Sequence, residues 1–418
     1  MTSTRSASVS TPTTFCCANR LTMAGPLSGL KVLDLSRFIA GPHCAMILGD
    51  LGADVVKVEK TMTGEDSRLL APFIQGESVY FMMFNRNKRS LTVDFRHNKA
   101  QELIRRLATE ADVLIENFRP GTMDKMGCGW ETLHELNPRL VMASLSGFGL
   151  GNRLTCEPCF DAIAQALSGI MDLTGEVDGR PMLAGTFLVD YATGMNAACG
   201  VLGALMHRMQ SGEGQMVDVS LMGSASAMLM TAIPEYLVFG REMSRMGNRD
   251  RYVAPANTFE TKDGHWVHII GGSDAHFPRL ARMIGQPELL QDPRFARLEA
   301  RLQNVDAVEG VVAQWAKAHT VDEVMAAVSK AELPSAKVRT VGEALRDPYA
   351  RDAGHIVDIE HPVAGVVPSP APAQRLSRTP TAVHRPAPPL GHDTDEVLMT
   401  WLGMSAEEIE GLRAEAVI

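Results

Sequence analysis

The first half of the chain alternates short apolar runs with helix-like segments, and this alternation restricts the fold more than any other feature of the sequence. The apolar runs are rich in Val, Leu and Ile, as expected for strands buried in a sheet. They read KVLDLS, DVVKVE, SLTVDF, DVLIEN and LVMASLS. Between several of them lie helical patterns such as NKAQELIRRLATEA. This alternation predicts an α/β fold with a doubly wound parallel sheet.

Ligands of such folds bind at the carboxyl ends of the parallel strands. We therefore expect a functional site among the loops that follow these runs, which begin at Ser36, Glu59, Phe95, Asn117 and Ser146. The first of these loops, SRFIAGPHCA, lacks the G-x-G-x-x-G pattern of dinucleotide-binding folds. This departure counts against a nicotinamide or flavin dinucleotide as ligand.

The overall charge and the apolar runs exclude two classes of partner. The formal charge of −9 provides no global attraction to nucleic acid or to an anionic membrane. No apolar run approaches the roughly 18 to 20 residues that a membrane-spanning helix needs. We therefore expect neither nucleic acid nor a membrane as partner, and an anionic ligand would require a local basic pocket.

The cysteines give little support for a metal or a disulfide framework. The chain has seven, an odd and small number for 418 residues, which favours a reducing compartment. One C-x-x-C motif, CEPC at residues 156–159, stands without a second cysteine pair or a histidine pair at zinc spacing. We predict no metal site.

The first 24 residues differ from the rest in composition. They are rich in Ser and Thr, and no acidic residue precedes Asp34. A mitochondrial transit peptide is an alternative, but only Arg5 and Arg20 are basic and no long amphipathic face is present. We predict a disordered extension at residues 1–24 and a cytoplasmic protein, or a mitochondrial one if the extension is a transit peptide.

Turn signals and a change of composition indicate a second, mixed domain that begins near Met246. Its first feature is a predicted hairpin with a turn at residues 262–264. The chain later becomes extended and rich in proline, but apolar and polar residues still alternate there, and Ser405 and Glu408 fit a capping box for a last helix. We interpret the proline-rich stretch as an ordered arm packed on another surface, with a partner subunit as one option.

The stretch GTFLVDYATGM, residues 185–195, places Asp190 between an apolar run and the start of a helical pattern. Aspartate is among the preferred N-cap residues, because its carboxylate accepts hydrogen bonds from the first free N–H groups of a helix. The residues alone leave two interpretations open, a helix cap or a reactive carboxylate.

Ten ordered segments resemble the class III coenzyme A transferase family, which also includes the alpha-methylacyl-CoA racemases. They read LSGLKVLDLSRFIAGP, LGADVVKVEK, NRNKRSLTVDFR, ADVLIENFRPGTMDKMG, LNPRLVMASLSGFG, FDAIAQALSGIMDLTG, LVDYATGM, GEGQMVDVSL, DPRF and PPLGHDTDEVL. The resemblance implies a Rossmann-like large domain formed by residues 25–225 and 336–418, a linker at 226–245, and a smaller inserted α+β domain at 246–335. It also implies that two chains form an interlocked-ring homodimer.

The resemblance further implies an activity and a set of site residues. The family's catalytic aspartate falls on Asp190, which would carry coenzyme A (CoA) from an acyl-CoA donor to a carboxylic acid through an aspartyl anhydride and an aspartyl-CoA thioester. N–H groups at the start of the following helix would stabilise the oxyanion. CoA thioester is then a substrate, and no tightly bound cofactor is expected. The matching motifs place CoA on Phe38, Ile39, Ala40, Lys60, Val93, Arg96, Asn117, Phe118, Lys125 and Met126.

Two alternative functions stay open beside CoA transfer. The first is 2-methylacyl-CoA racemisation, but the racemases resemble one another in a histidine that precedes the aspartate of FDAIAQ, and this chain has Phe160 before Asp161. A phenyl ring cannot transfer a proton, so Asp161 is interpreted as a structural acceptor near the site. The second alternative is a non-catalytic CoA-binding subunit, in which loss of Asp190 would be expected.

Two features bear on the acyl group. Ile39 stands where formyl-CoA transferases have glutamine, so formate and oxalate are not expected as substrates. Four arginines precede the small domain and form either a solvated basic face or a site for the remote carboxylate of a dicarboxylic acid, with succinyl-CoA as donor. These residues are Arg241, Arg245, Arg249 and Arg251.

Overall fold

We describe residues 25–418 of the chain from a computed structural model, and the predicted extension at residues 1–24 lies outside the described residues. The strands of the first part of the chain are β1 (Lys31–Asp34), β2 (Asp54–Lys60), β3 (Phe73–Ile74), β4 (Glu77–Ser78), β5 (Lys88–Val93), β6 (Val113–Glu116), β7 (Val141–Ser146) and β8 (Met216–Ser220). Its helices are α1 (Ala40–Asp50), α2 (Val79–Asn85), α3 (Asn98–Glu110), α4 (Thr122–Lys125), α5 (Trp130–Leu136), α6 (Asp161–Ser168), α7 (Ile170–Leu173), α8 (Leu188–Ser211), α9 (Leu221–Met228) and α10 (Ala232–Phe239).

Six of these strands form one parallel sheet in the order β5-β2-β1-β6-β7-β8. All five apolar runs that were predicted as strands lie in it, so the predicted α/β fold with a parallel sheet is confirmed. The chain moves outward from β1 through β2 to β5 and then returns to the other side of β1 at β6. The loops after β1 and β6 therefore diverge, and such a reversal of strand order opens a ligand-binding crevice at the carboxyl edge.

Helices cover both faces of the sheet. In α3 the buried residues Ala100, Leu103, Ile104, Leu107 and Ala108 follow the spacing of one helical face, and that face packs on the sheet. The opposite face is covered by α1 and α8, whose buried side chains share a core with β1, β6 and β7. This packing sets the first turns of α1 and α8 next to the crevice.

The remainder of the chain forms a second group of elements and a return segment. The second group comprises β9 (Ala256–Glu260), β10 (Trp266–Ile270), α11 (Phe277–Met283), α12 (Leu298–Gln303), α13 (Val305–Ala318), α14 (Val321–Lys330) and β11 (Ser335–Lys337). The return segment comprises α15 (Val341–Arg346), α16 (Pro348–Asp352), β12 (Ile356–His361), β13 (Gly365–Pro370), α17 (Thr394–Leu402) and α18 (Ala406–Ala414).

The second group has its own core, built on an antiparallel sheet in the order β11-β10-β9. The predicted hairpin is confirmed, because β9 and β10 pair antiparallel and the N–H of Gly264 donates to the carbonyl of Thr261 at 3.0 Å across the turn. The last helices, α17 and α18, bury Val397, Trp401 and Ile409 in the same core as α3. Both ends of the described chain thus contribute to the core on one face of the parallel sheet.

The proline-rich stretch between β13 and α17 is held by hydrogen bonds to its own chain. The Oδ1 of buried Asn87 accepts the N–H groups of His384 and Arg385 at 2.6 and 3.1 Å, and its Nδ2 donates to the carbonyl of Ala382 at 2.8 Å. The ordered arm is therefore confirmed. At these points it packs on its own chain, beside the start of β5.

Helices α9 and α10 carry apolar surface that the rest of the chain leaves uncovered. No residue of α10 is buried, and Tyr236, Leu237, Val238 and Phe239 are exposed. Within residues 25–418, no single helix is long and apolar enough to cross a membrane, although α9 and α10, which meet at a bend of 77°, have that length and composition as a pair.

Candidate active site

Two adjoining pockets open at the carboxyl edge of the sheet, where the loops after β1 and β6 diverge. The aspartate pocket is lined by Asp190 and by residues that include 37–40, 117–120, 145–147 and 157–160. The basic pocket lies beside it, and its lining includes Lys60, Arg96 and Met126. Arg37, Phe118 and Arg119 line both pockets, so the two pockets adjoin, and we refer to them together as the groove.

Asp190 lies in the first turn of α8, but it does not cap that helix. The N-cap residue is Phe187, which makes no side-chain capping bond. The N–H groups of Val189 and Asp190 instead donate to Oδ1 of Asp161 at 2.8 and 3.2 Å. The other oxygen of Asp161 accepts Nε2 of Gln165 at 2.6 Å. The cap interpretation of Asp190 is therefore wrong, and Asp161 is confirmed as a structural acceptor.

The carboxylate of Asp190 is left without hydrogen-bond donors from the described part of the chain. Burial, and to a smaller extent the negative charge of Asp161, raises the pKa of Asp190 from its usual 3.8 to about 7. A carboxylate that has lost water and has gained no donors keeps its electron density on its oxygens. Such perturbed groups in clefts are candidates for chemistry.

Replacement of Asp190 by asparagine is expected to stabilise the fold at pH 8. The folded-state pKa of about 7 lies above the unfolded value of 3.8, so ionised Asp190 destabilises the folded state above pH 7, and this effect fades as the pH falls toward 4. The difference sets a ceiling of about 4 kcal/mol. Solvent in the open groove reduces it, so we expect roughly 1 to 3 kcal/mol.

Denaturant unfolding of both proteins at pH 8 and pH 5 measures this gain. The gain of Asp190→Asn should be larger at pH 8 than at pH 5. Equal stability of the two proteins at pH 8 would contradict the assignment of a desolvated, unpaired carboxylate.

The loop after β1 is held in an uncommon conformation. Phe38 has φ of 65°, in the left-handed region that non-glycine residues rarely adopt. Its N–H donates to Oε2 of Glu65 at 3.0 Å. On the preceding residue, Arg37, the N–H donates to Oδ1 of Asn117 and the carbonyl accepts Nδ2 of Asn117, both at 2.8 Å. The side-chain amide of Asn117 thus holds this loop in position. The strained backbone conformation of Phe38 is kept beside the site by these contacts.

Unpaired N–H groups near Asp190 belong to α1 rather than to α8. Within residues 25–418, the N–H groups of Ala40 and Gly41 have no acceptor, and Ala40 lines the aspartate pocket. The start of a helix carries free N–H groups and partial positive charge. The expectation that α8 supplies the oxyanion donors is wrong for Val189 and Asp190, because Asp161 already accepts both N–H groups.

The close approach of α1 to the β1 loop requires a glycine at position 41. A Cβ on Gly41 would lie 2.2 Å from Cβ of Ser36. Ser36 cannot move freely, because its N–H donates to Asp34 at 3.0 Å and its carbonyl accepts Nζ of Lys57 at 2.8 Å.

We expect Gly41→Ala to lower the free energy of unfolding by about 1 to 3 kcal/mol. We also expect it to lower kcat/KM by more than about tenfold through displacement of Ala40. Thermal unfolding and steady-state kinetics measure the two effects. The matched control is Gly411→Ala in α18, where an added Cβ meets open space. The prediction is wrong if the two variants behave alike.

The basic pocket gathers charged residues from separate strand ends. Lys60 is the last residue of β2, and Arg96 lies in the loop after β5, while the uncharged Met126 follows α4. Nζ of Lys60 donates to Asp66 at 2.6 Å, and its side chain is 45% exposed, so it stays accessible to an anion. Cations gathered in one pocket suit the phosphates of a nucleotide.

The groove brings together all but two of the residues that the family motifs indicated for CoA. The side chain of Val93 is fully buried in the sheet core, because strand alternation directs it inward, and its carbonyl accepts the N–H of Thr61 at 3.2 Å. Lys125 is exposed at the end of α4 and lines neither pocket. The structure therefore does not place these two side chains in the groove. The residues that do line it are Phe38, Ile39, Ala40, Lys60, Arg96, Asn117, Phe118 and Met126.

Sequence reasoning missed residues that lie beside those it selected. Arg37 and Arg119 line both pockets. The sequence feature that could have identified them is a basic residue in each of two loops that follow strands. Glu116 is buried at the end of β6, accepts the N–H of Phe118 at 2.8 Å, and has its pKa raised to about 7 by burial. It therefore helps to position the loop that carries Phe118 and Arg119.

The arginine cluster before the small domain does not reach the groove. None of the four arginines lines either pocket. Arg245 pairs with Asp172, Arg249 pairs with Asp306 and Glu309, and Arg251 donates to a backbone carbonyl. Three of its members are engaged within the chain, so the described chain does not place this cluster where it would meet the remote carboxylate of a substrate at Asp190.

The C-x-x-C motif lies at the mouth of the groove. Cys159 lines the aspartate pocket, and Cys156 is exposed, with both thiols free. In residues 25–418, no three His, Cys, Asp or Glu side chains are grouped closely enough to hold a metal ion.

The protein is an α/β protein with a parallel sheet, a desolvated carboxylate at a helix start and an adjoining cationic pocket, features that suit a phosphate-bearing ligand. The chain belongs to CoA-transferase family III, whose model matches residues 27–394. The resemblance drawn from the ten segments is thereby confirmed, and the protein is an enzyme of this transferase family.

Three relatives illustrate the relationship. The chain is 36% identical over 394 residues to succinyl-CoA–D-citramalate CoA-transferase of Chloroflexus aurantiacus, a match that covers 94% of this chain and 98% of that protein. It is 31% identical to succinyl-CoA:glutarate CoA-transferase of Homo sapiens, with 94% and 90% covered. The crystal structure of a CAIB/BAIF family protein from Brucella suis matches with a TM-score of 0.81 at 35% identity, with 90% of this chain and 100% of that chain covered.

Proposed function

We propose that the enzyme transfers CoA from succinyl-CoA to a dicarboxylic acid through covalent intermediates on Asp190. The observation that carries this proposal is the free carboxylate of Asp190 in the groove, while Asp161 takes over the capping of α8. The two curated relatives described above are named for succinyl-CoA and for citramalate or glutarate. Both acceptors are dicarboxylates, which supports the same substrate class here.

The first half-reaction loads CoA onto the enzyme. A carboxylate oxygen of Asp190 attacks the thioester carbonyl of the donor, the C–S bond breaks, and an acyl-aspartyl anhydride and CoA thiolate result. The thiolate then attacks the Asp190 carbonyl of the anhydride and expels the donor acid as its carboxylate. An aspartyl-CoA thioester remains on the enzyme.

The second half-reaction reverses these steps with a different acid. The acceptor carboxylate attacks the Asp190 thioester carbonyl, which forms a new anhydride and releases CoA thiolate. The thiolate attacks the acyl carbonyl of the acceptor, so the new acyl-CoA forms and the Asp190 carboxylate is restored. No proton is gained or lost over the cycle.

Residues of the groove assist each step. The N–H of Ala40, which has no acceptor within residues 25–418, stabilises the oxyanion that forms on each attacked carbonyl. The rings of Phe38 and Phe160 meet edge to face with their centroids 6.2 Å apart and shield the anhydride from water. Lys60 and Arg96 hold the phosphates of CoA in the basic pocket.

Mass spectrometry after incubation with acyl-CoA donors and hydroxylamine tests this mechanism. Hydroxylamine converts an activated aspartyl group to a hydroxamate, so we expect a mass shift on the peptide that contains Asp190. Absence of an adduct with every donor, together with solvent deuterium at the alpha position of a 2-methylacyl-CoA, would favour a racemase. Tight CoA binding without adduct or turnover would favour a non-catalytic subunit.

The geometry disfavours the racemase alternative. Phe160 lines the pocket but carries no group that transfers protons. Asp161 is buried, and both of its oxygens already accept hydrogen bonds. An acid and base pair for the alpha proton is therefore not formed by these two residues.

The pH dependence of kcat/KM should follow the ionisation of Asp190. Because the attacking species is the carboxylate, and its pKa lies at about 7, activity rises with pH through neutrality and levels off near pH 8. Below pH 6 we expect kcat/KM to fall about tenfold per pH unit. Initial rates from pH 5 to pH 9 with a fixed donor measure this profile. A flat profile over that range would contradict the raised pKa.

We also propose that a second copy of the chain covers α10 in a homodimer of the interlocked-ring type. An apolar helix with no buried residue needs a partner surface. Light scattering after size-exclusion chromatography should report twice the chain mass of 45.3 kDa, and Leu237→Glu should weaken the assembly. A monomer at micromolar concentration would contradict this proposal.

A further inference from the structure

Arg37 lies where the two pockets of the groove meet, because it lines both of them. Its backbone is held on both sides by the amide of Asn117 at 2.8 Å. Its guanidinium carbon lies 5.2 Å from the ring centroid of Phe118, a distance at which the cation is attracted to the ring face. The loops after β1 and β6 therefore hold this side chain in place together.

The guanidinium retains hydrogen-bonding capacity that the chain does not use. Its Nη1 makes a long contact of 3.4 Å to Oδ2 of Asp66, whose Oδ1 accepts Lys60 at 2.6 Å. Its Nε is buried, and within residues 25–418 it has no acceptor. Over the same range Nη2 donates to no group, and the side chain is 37% exposed. The terminal nitrogens are thus available to a ligand in the groove.

The walls around Asp190 are mainly apolar. They include Ile39, Leu145, Phe160 and Leu221. A dicarboxylic acyl group that reacts at Asp190 brings a second carboxylate into this pocket, and an unpaired charge is strongly unfavourable against apolar walls. Arg37 is a cation on the same pocket wall, and a guanidinium matches a carboxylate through two parallel hydrogen bonds.

We propose that Arg37 binds the remote carboxylate of the dicarboxylic acyl group through its terminal nitrogens and so sets the preference for dicarboxylates. This inference rests on the proposed function. Donor and acceptor acids react in turn at the same Asp190, so one cation serves both half-reactions. Arg37 is thereby assigned the role that the sequence first suggested for the arginines before the small domain.

The experiment compares two donors whose chains have the same length and differ in the remote carboxylate, succinyl-CoA and butyryl-CoA. The rate of hydroxylamine trapping at Asp190 isolates the donor half-reaction, because no carboxylic acid acceptor is then needed. The variants are Arg37→Met, Arg37→Lys and a control, Arg106→Met, which removes an exposed arginine of α3.

We expect wild-type enzyme to prefer succinyl-CoA over butyryl-CoA by on the order of 10²-fold. Arg37→Met should lose about that factor with succinyl-CoA and change less than about threefold with butyryl-CoA. With succinyl-CoA, the rate of Arg37→Lys should lie between those of wild type and Arg37→Met, since lysine keeps the positive charge but lacks the planar guanidinium that makes two parallel hydrogen bonds. Arg106→Met should match wild type.

Three results would overturn the inference. Equal losses with both donors would show that Arg37 serves the CoA phosphates instead, since both donors share them. Equal rates with the two donors in wild-type enzyme would show that the enzyme does not recognise the remote carboxylate. This comparison does not depend on any variant being folded. Loss in Arg106→Met equal to that in Arg37→Met would show a general charge effect. Absence of trapping at Asp190 with either donor would instead refute the proposed function.

Discussion

Asp190→Asn is expected to abolish CoA transfer, with kcat reduced by on the order of 10³- to 10⁶-fold. An amide oxygen is too weak a nucleophile to attack a thioester, so neither the anhydride nor the aspartyl-CoA thioester can form. The rest of the groove is unchanged by this substitution, because the carboxylate of Asp190 makes no hydrogen bond within the described residues. Binding of CoA should therefore persist. Steady-state kinetics and calorimetric titration with CoA measure the two quantities.

A second carboxylate of the same pocket provides the matched control. Glu157 lines the aspartate pocket and is exposed, so Glu157→Gln removes a nearby negative charge without removing the nucleophile. We expect it to change kcat by no more than a few-fold. Retention of more than about a tenth of the activity in Asp190→Asn would exclude Asp190 as the nucleophile.

Lys88→Met is expected to destabilise the fold by about 3 to 5 kcal/mol, the usual cost of removing one partner from a buried ion pair. The Nζ of Lys88 is fully buried and donates to Asp34 and Asn85 at 2.8 Å and to the carbonyl of Pro42 at 3.0 Å. Its loss leaves Asp34 with Lys57, whose Nζ lies 3.8 Å away. The contact to Pro42 also joins this buried network to the first turn of α1.

Denaturant unfolding monitored by circular dichroism measures the loss. The control is Lys99→Met, which removes an exposed lysine that pairs with Glu415 on the surface, and it should cost less than about 1 kcal/mol. The pair Asp34→Asn with Lys88→Met should cost less than the sum of the single variants, because removing both charges leaves neither unpaired. A loss below about 1 kcal/mol in Lys88→Met would show that the network is not stabilising.

The parallel sheet was predictable because each of its strands can be recognised from its own apolar residues. A strand buried on both faces must be apolar along its whole length, and five such runs alternate with helical patterns in the first half of the chain. The hairpin of β9 and β10 was predictable for a similar local reason, since its turn contains Gly264 with φ of 78°. Each of these features depends on residues that are neighbours in the sequence.

The role of Asp161 shows what local patterns miss. An aspartate at the start of a helical pattern is normally its cap, and Asp190 fits that pattern. The structure assigns the cap to Asp161, 29 residues before Asp190, because α6 packs against the start of α8. Because Asp161 caps the helix, the Asp190 carboxylate makes no hydrogen bond within the described residues. The sequence pattern around Asp190 does not reveal this.

The arginines show the same limit. Four arginines close together in sequence suggested either a solvated basic face or a carboxylate site. Two of them pair with residues distant in sequence, Arg245 with Asp172 and Arg249 with Glu309. Arg37 does line the groove, but the sequence patterns did not select it. Its position depends on Asn117 and Phe118, which lie in the loop after β6.

The sequence by itself determined the fold class, the family and the candidate nucleophile. The spacing of apolar residues, the turn residues and the ordered motifs that indicate them are all properties of residues that are neighbours in the sequence. Tertiary structure decided which polar groups are satisfied within the chain and which remain free for a ligand. Asp161 and Asn117 use their hydrogen bonds to position the site, whereas Asp190 and Arg37 keep theirs available. The physical reason is that a hydrogen bond depends on distance in space, and packing brings together groups that the sequence keeps apart.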